Sequence, residues 1–157
     1  MSSATYPLLG AIRISKGKMS EGLDIIRRCY RSDLENKWGF GIATAEYTLA
    51  NVYAQMAQGE EKPPLSVLAK NLGFILQNVP FAFKKAEAYF KKAIETAKKC
   101  QAQGLLAQSY YGLGQLYLSK NKPVQAKACF SLAESVFKNL EAEIHLTTTR
   151  NILKKLG

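Results

Sequence analysis

Along residues 83–99, FKKAEAYFKKAIETAKK, the apolar positions Phe83, Ala86, Tyr89, Phe90, Ala93, Ile94 and Ala97 recur at steps of three and four, with lysines and glutamates between them. That spacing puts one apolar stripe along a helix of 3.6 residues per turn. The same period runs through 20–31, 42–57, 105–118, 124–137 and 140–156. Sustained alternation of β-branched residues and Asn-Gly or Asp-Gly hairpin turns, which would signal strands, do not occur. The pattern predicts an all-α chain. Gly17, 36–41, Gly59 with Pro63 and Pro64, Asn78-Val79-Pro80, Gly104 and Asn121-Lys122-Pro123 punctuate it as helix stops and starts. Short connections predict antiparallel neighbours.

The pattern also repeats. A shift of 64 positions aligns Ile42 with Leu106, Ala43 with Ala107, Tyr47 with Tyr111, Leu49 with Leu113, Val52 with Leu116 and Tyr53 with Tyr117. A shift of 40 brings Ala86 onto Ala126, Ala88 onto Ala128, Phe90 onto Phe130 and Ala93 onto Ala133. One helical hairpin is reused along the chain. Its fullest copy carries Tyr110, Leu113, Gly114 and Tyr117 on one helix and Ala126, Phe130 and Ala133 on the next. Gly114 and Ala126 allow close helix approach, Tyr117 and Phe130 fill the space beside them, Asn121 takes the left-handed turn that Gly17 supplies in the first copy, and Pro123 opens the second helix.

That ordered set resembles the tetratricopeptide repeat (TPR) signature. The other copies match less fully: Tyr6, Leu9, Gly10, Gly22, Ile26 and Cys29 in the first, and Leu49, Ala50 and Tyr53 in the second, where Glu46 takes an aromatic's place. The resemblance implies a TPR-like α-solenoid of antiparallel hairpins with an inserted helix and a C-terminal capping helix, one domain over 1–157. The expected divisions are a hairpin at about 4–35, a first helix 40–58 with its partner 83–100 after an insertion 59–82, a hairpin 104–138 and a terminal helix 140–156. The insertion, with Leu65, Val67, Leu68, Leu72, Phe74, Ile75, Leu76 and Val79, is expected to pack on the stack. Leu140, Ile144, Leu146, Ile152, Leu153 and Leu156 are expected to cap its end.

The insertion, the following KKAEAYFKKAIETAK and the tail FKNLEAEIHLTTTRNILKKL together resemble the C-terminal TPR region of bacterial multidomain class III adenylate/guanylate cyclases. This resemblance implies a regulatory or partner-binding region of a larger cytoplasmic signalling protein. A start inside a repeat, at SSATYPLLG, predicts that an upstream part was removed, and the tail near Gly157 predicts a natural C-terminus.

Composition narrows the chemistry. Cys29, Cys100 and Cys129 lie far apart without CxxC or Cys/His spacing, and are expected to be buried structural thiols. His145 is the sole histidine, so triad or histidine-metal chemistry lacks partners. Glu60-Glu61 and the Glu141/Glu143 pair do not converge on a helix. A phosphate-cradling GxxxxGK[ST] loop and a GxSxG elbow are absent. No catalytic residue, cofactor or metal is expected. The net charge of +10 fits an acidic partner, nucleic acid or an anionic surface, or else a solvated lysine face. No stretch approaches the roughly 18 apolar residues of a membrane span.

In TPR proteins the first helix of each unit usually lines the inner face. The resemblance therefore implies Thr44, Tyr47, Asn51 and Gln55 in the second unit, and Gln108, Tyr111, Gln115 and Ser119 in the third, as a groove for a protein or peptide. Tyrosines flanked by amides suit a peptide; equally, Tyr47 and Tyr111 could pack between units. The lack of lysine at these positions argues against a clamp for acidic chaperone tails. A basic helical-repeat nucleic-acid binder and a stand-alone adaptor are the alternatives.

Overall fold

A computed structural model describes residues 5–58 and 65–157. Gly59, Glu60, Glu61, Pro63 and Pro64, singled out above, lie outside them. The described residues form helices α1 (Thr5–Ser15), α2 (Met19–Glu35), α3 (Gly39–Gln58), α4 (Leu65–Asn78), α5 (Ala82–Lys99), α6 (Gln103–Leu118), α7 (Pro123–Asn139) and α8 (Glu143–Lys155), with a 3₁₀ turn at Val79–Phe81 leading into α5. Among the described residues there is no strand.

Three antiparallel hairpins, α1–α2, α3–α5 and α6–α7, stack in order, and α8 closes the far end. The first helices α1, α3 and α6 also touch one another, whereas the second helices α2, α5 and α7 are packed mainly on first helices. The first helices therefore lie on the inside of the curve. The fold is an all-α helical repeat.

The core is one continuous cluster running through all three hairpins, with Leu23, Ile26, Leu49, Tyr53, Phe90, Leu116 and Phe130 sealed from solvent. Ala86 and Ala126, on the second helices of the second and third hairpins, are fully buried, so small residues set the helix approach. At Gly114 a Cβ would stand 3.0 Å from the Phe130 ring, the contact that the signature predicts.

The turns share one geometry. Gly17, Lys37, Gln101, Asn121 and Glu141 all take positive φ, from 52° to 79°. After each, the next residue's N–H donates to a carbonyl five residues back: Lys18 to Arg13, Trp38 to Asp33, Ala102 to Ala97, Lys122 to Tyr117 and Ala142 to Phe137, at 2.9–3.0 Å. These are Schellman closures. Consecutive left-handed positions are 20 residues apart, from 17 to 37 and again from 101 to 121 to 141. The hairpin period is thus forty residues, and the insertion accounts for the longer interval from Lys37 to Gln101.

Two expectations need correction. The insertion forms a helix, α4, but only Val67, Phe74 and Ile75 of its named apolar residues are half-buried, while Leu72, Leu76 and Val79 are exposed; the side chains of Leu65 and Leu68 lie outside the description. Two asparagines take the inner positions: Asn71 Nδ2 donates to the Gly17 carbonyl at 2.9 Å, and Asn78 is buried and accepts from Lys85 Nζ at 3.0 Å. In the closing helix, Leu146 is buried and Ile152, Leu153 and Leu156 pack on the core, but Leu140 and Ile144 are exposed. Ile144 sits two residues before Leu146, on the opposite side of the helix, and Leu140 belongs to the preceding turn.

Candidate functional site

On the inner face, α3 presents Tyr47 and Asn51 one turn apart, and α6 presents Tyr111 and Gln115 at the matching positions with Gln108 and Gly112 beside them. With Phe137 from the end of α7 and His145 from the start of α8, they line one groove of about 250 Å³. Thr44, Gln55 and Ser119 are not among its walls; the hydroxyls of Thr44 and Ser119 donate to the carbonyls of Phe40 and Leu116 at 2.8 Å.

Each tyrosine has two roles. Tyr47 meets Phe90 edge-on, with centroids 6.3 Å apart, and Tyr111 meets Phe130 in the same way at 5.4 Å. Both are half-buried. Packing and groove lining, open alternatives in the sequence, coincide here. Burial pushes the Tyr47 hydroxyl pKa up, so it remains a neutral donor at physiological pH. Tyr111 also touches Phe137 edge-on at 6.5 Å, and Phe137 stacks on His145 at 5.0 Å with ring planes 15° apart. Gln115 Nε2 donates to the Tyr111 hydroxyl at 3.0 Å, and Asn51 Nδ2 to the Tyr47 carbonyl at 2.9 Å. At Gly112 a Cβ would meet the Phe90 ring at 2.6 Å, so glycine lets α6 lie against the second hairpin and keeps the groove floor thin.

The groove is uncharged apart from what His145 carries. Helix α6 holds no Asp, Glu, Lys or Arg, and α3 holds Glu46 alone. Glu46 is buried and turned toward α2, where it accepts from the Tyr30 hydroxyl at 3.0 Å. Burial raises its pKa, opposed by neighbouring hydroxyls and Lys92. The walls can thus offer hydrogen bonds and aromatic faces but no strong field.

Sequence reasoning missed Phe137, His145 and Gly112. Phe137 held the clue, lying one 20-residue step after Tyr117 and closing the α7 stripe. His145 could not be placed without knowing that α8 stacks as the next first helix. Among the described residues, no group of three or more His, Cys, Asp or Glu is placed to hold a metal ion. Cys129 is buried, its thiol pushed up to about 11 by burial. Cys29 and Cys100 are only half-buried, short of the expected burial.

The hairpin that supplies Tyr111 and Phe137 is also the segment that matches a known family. Residues 107–139 match the tetratricopeptide repeat. The signature residues Tyr110, Leu113, Gly114, Tyr117, Ala126, Phe130 and Ala133 all fall within that stretch. A search of curated proteins gave no match. The architecture is accordingly a TPR-like helical repeat, and stacked repeats of this kind are protein–protein interaction modules with extended concave surfaces. The forty-residue period exceeds the 34 or so of the usual TPR unit, and the excess lies in the helices, α6 and α7 having 16 and 17 residues. No described helix is long and apolar enough to cross a membrane.

Proposed function

We propose that this chain is a non-catalytic recognition module that holds an extended peptide along its inner face. The observation carrying this reading is the convergence of Tyr47, Asn51, Gln108, Tyr111 and Gln115, from two successive repeats, on one groove completed by Phe137 and His145. The amides of Asn51, Gln108 and Gln115 suit main-chain donors and acceptors, and the rings suit a bulky neutral side chain. A nucleic-acid reading of the same groove is disfavoured, because no lysine or arginine lines it.

In the wider proposal the module is the C-terminal regulatory or partner-binding region of a bacterial cytoplasmic signalling protein of the nucleotide-cyclase type. Its support is the sequence resemblance of the insertion and tail. A blot of the source organism with an antibody to this domain tests it. A band well above 17.4 kDa, carrying catalytic-domain peptides by mass spectrometry, is expected; a band at that mass supports a stand-alone adaptor.

The groove itself is tested by selecting binders from a displayed random-peptide library and measuring them by calorimetry. Tyr47→Ala/Tyr111→Ala, and the milder Asn51→Ala/Gln115→Ala, should each weaken a selected peptide at least about tenfold, the scale of a buried anchor. Unchanged affinity in variants with wild-type circular dichroism rejects the groove.

A further inference from the structure

Outside the groove, the edge where α4 runs into α5 combines positive charge with exposed apolar side chains. Helix α5 carries six lysines and two glutamates. The lysines come as pairs, 84–85, 91–92 and 98–99, seven residues or about 10.5 Å apart along the axis. Lys84, Lys91 and Lys98 are exposed along one line. Phe81, 57% exposed, stands one turn before Lys84 at the head of that line.

Helix α4 is apolar on its solvent side as well as on its packed side. Its asparagines Asn71 and Asn78 point inward and are hydrogen-bonded, while Leu72 and Leu76 face solvent at 55% and 66% exposure, followed by Val79 at 41%. Its only charged residue is Lys70, also exposed. Exposed aliphatic and aromatic groups that lead through Phe81 into a line of exposed lysines fit a surface that is soft, apolar within and anionic outside. A protein partner would have to supply matching hollows, and a nucleic acid has little use for the leucines.

We propose that the α4–α5 edge docks this chain onto an anionic lipid bilayer. Leu72, Leu76, Val79 and Phe81 enter the boundary between headgroups and acyl chains, and the exposed Lys84 and Lys98 meet the lipid phosphates. The inference is independent of the groove.

Cosedimentation of the whole chain with phosphatidylcholine vesicles, with and without phosphatidylserine, tests it. Binding is expected only with the anionic lipid. It should weaken about fivefold for each lysine removed in Lys84→Gln and Lys98→Gln, and at least about tenfold in Leu72→Ser/Leu76→Ser/Phe81→Ser, where several apolar groups leave the interface. A Leu76→Trp variant should show a blue-shifted emission on anionic vesicles alone. Absence of binding at low salt overturns the proposal. So does triple-variant binding equal to wild type, or Leu76→Trp emission unmoved by bound vesicles, since either leaves a bare polyanion site of the kind RNA or an acidic protein would fill.

Discussion

The Tyr117 hydroxyl donates to Glu87 Oε1 at 2.9 Å, tying a signature aromatic of the third hairpin to the second helix of the hairpin before it. Lys91 Nζ reaches the same oxygen at 2.7 Å. The corresponding Tyr53 is linked in the same direction, accepting from Arg27 Nη2 of α2 at 3.0 Å. These tyrosines act as polar latches between units.

Removing the latch tests its worth. Burial pulls the Glu87 pKa up, but the hydrogen bonds from Lys91 and Tyr117 outweigh it and hold the carboxyl below its ordinary 4.5. A carboxyl depressed in the fold stabilises above the unfolded value and loses that contribution as pH falls through the folded one. Tyr117→Phe should therefore lower stability by ~1–2 kcal/mol at pH 7, read by urea denaturation. The difference from wild type should shrink as pH drops below 4.5.

Glu46 behaves in the opposite sense. It occupies the buried place that Tyr110 fills in the third hairpin, and burial raises its pKa above 4.5. The folded state holds the protonated form more readily, so this group costs stability at neutral pH and costs less as pH falls toward 4.5. Glu46→Gln should raise the melting temperature at pH 7 and flatten its change between pH 7 and 5. A variant that melts lower at pH 7 would show that the ionised carboxylate is net favourable there.

Much of this fold is legible in the residues because its devices are local. Gly17 and Asn121 name their turns, Pro123 names a helix start, and Gly114 with Phe130 names a helix contact. Lys37, Gln101 and Glu141 carry no such mark, since a lysine, glutamine or glutamate enters the left-handed region only when the packed helices on either side require it. Helix α4 misleads for a related reason: with apolar residues all round, periodicity cannot say which face packs, and the asparagines that anchor it look like surface residues until Gly17 and Lys85 are seen beside them. The groove was half-readable. Its walls from α3 and α6 repeat with the period, but Phe137 and His145 arrive from the next hairpin boundary.

The unmarked turns give a direct prediction. Gln101 holds φ +57°, a region costly for any residue with a Cβ and open to glycine. Gln101→Gly should stabilise by about 0.5–1 kcal/mol, the relief of strain exceeding the entropy that glycine adds to the unfolded chain. Gly17→Ala should do the reverse, because φ is +79° and the new methyl would lie 3.1 Å from Val67. Thermal melts of both variants check the pair.

Glycines inside helices separate packing from propensity. At Gly22 a Cβ would stand only 2.4 Å from the Gly10 carbonyl oxygen and 2.6 Å from Ile14 Cγ1. The first obstacle is backbone, so α1 would have to move bodily, and Gly22→Ala should cost at least ~1–3 kcal/mol. Gly73, inside α4, has nothing within 4 Å of the same built atom, so Gly73→Ala should gain ~0.5–1 kcal/mol of helix propensity. Gly114→Ala falls between them: its neighbour is a ring edge at 3.0 Å, and the equivalent position on α3 is already a fully buried alanine, Ala50. It should be close to neutral. Denaturant midpoints in the order Gly73→Ala, wild type with Gly114→Ala, then Gly22→Ala would place the tightest helix crossing in the first hairpin; a neutral Gly22→Ala would mean that α1 is free to shift and that the crossing at Gly10 and Gly22 does not fix the first repeat.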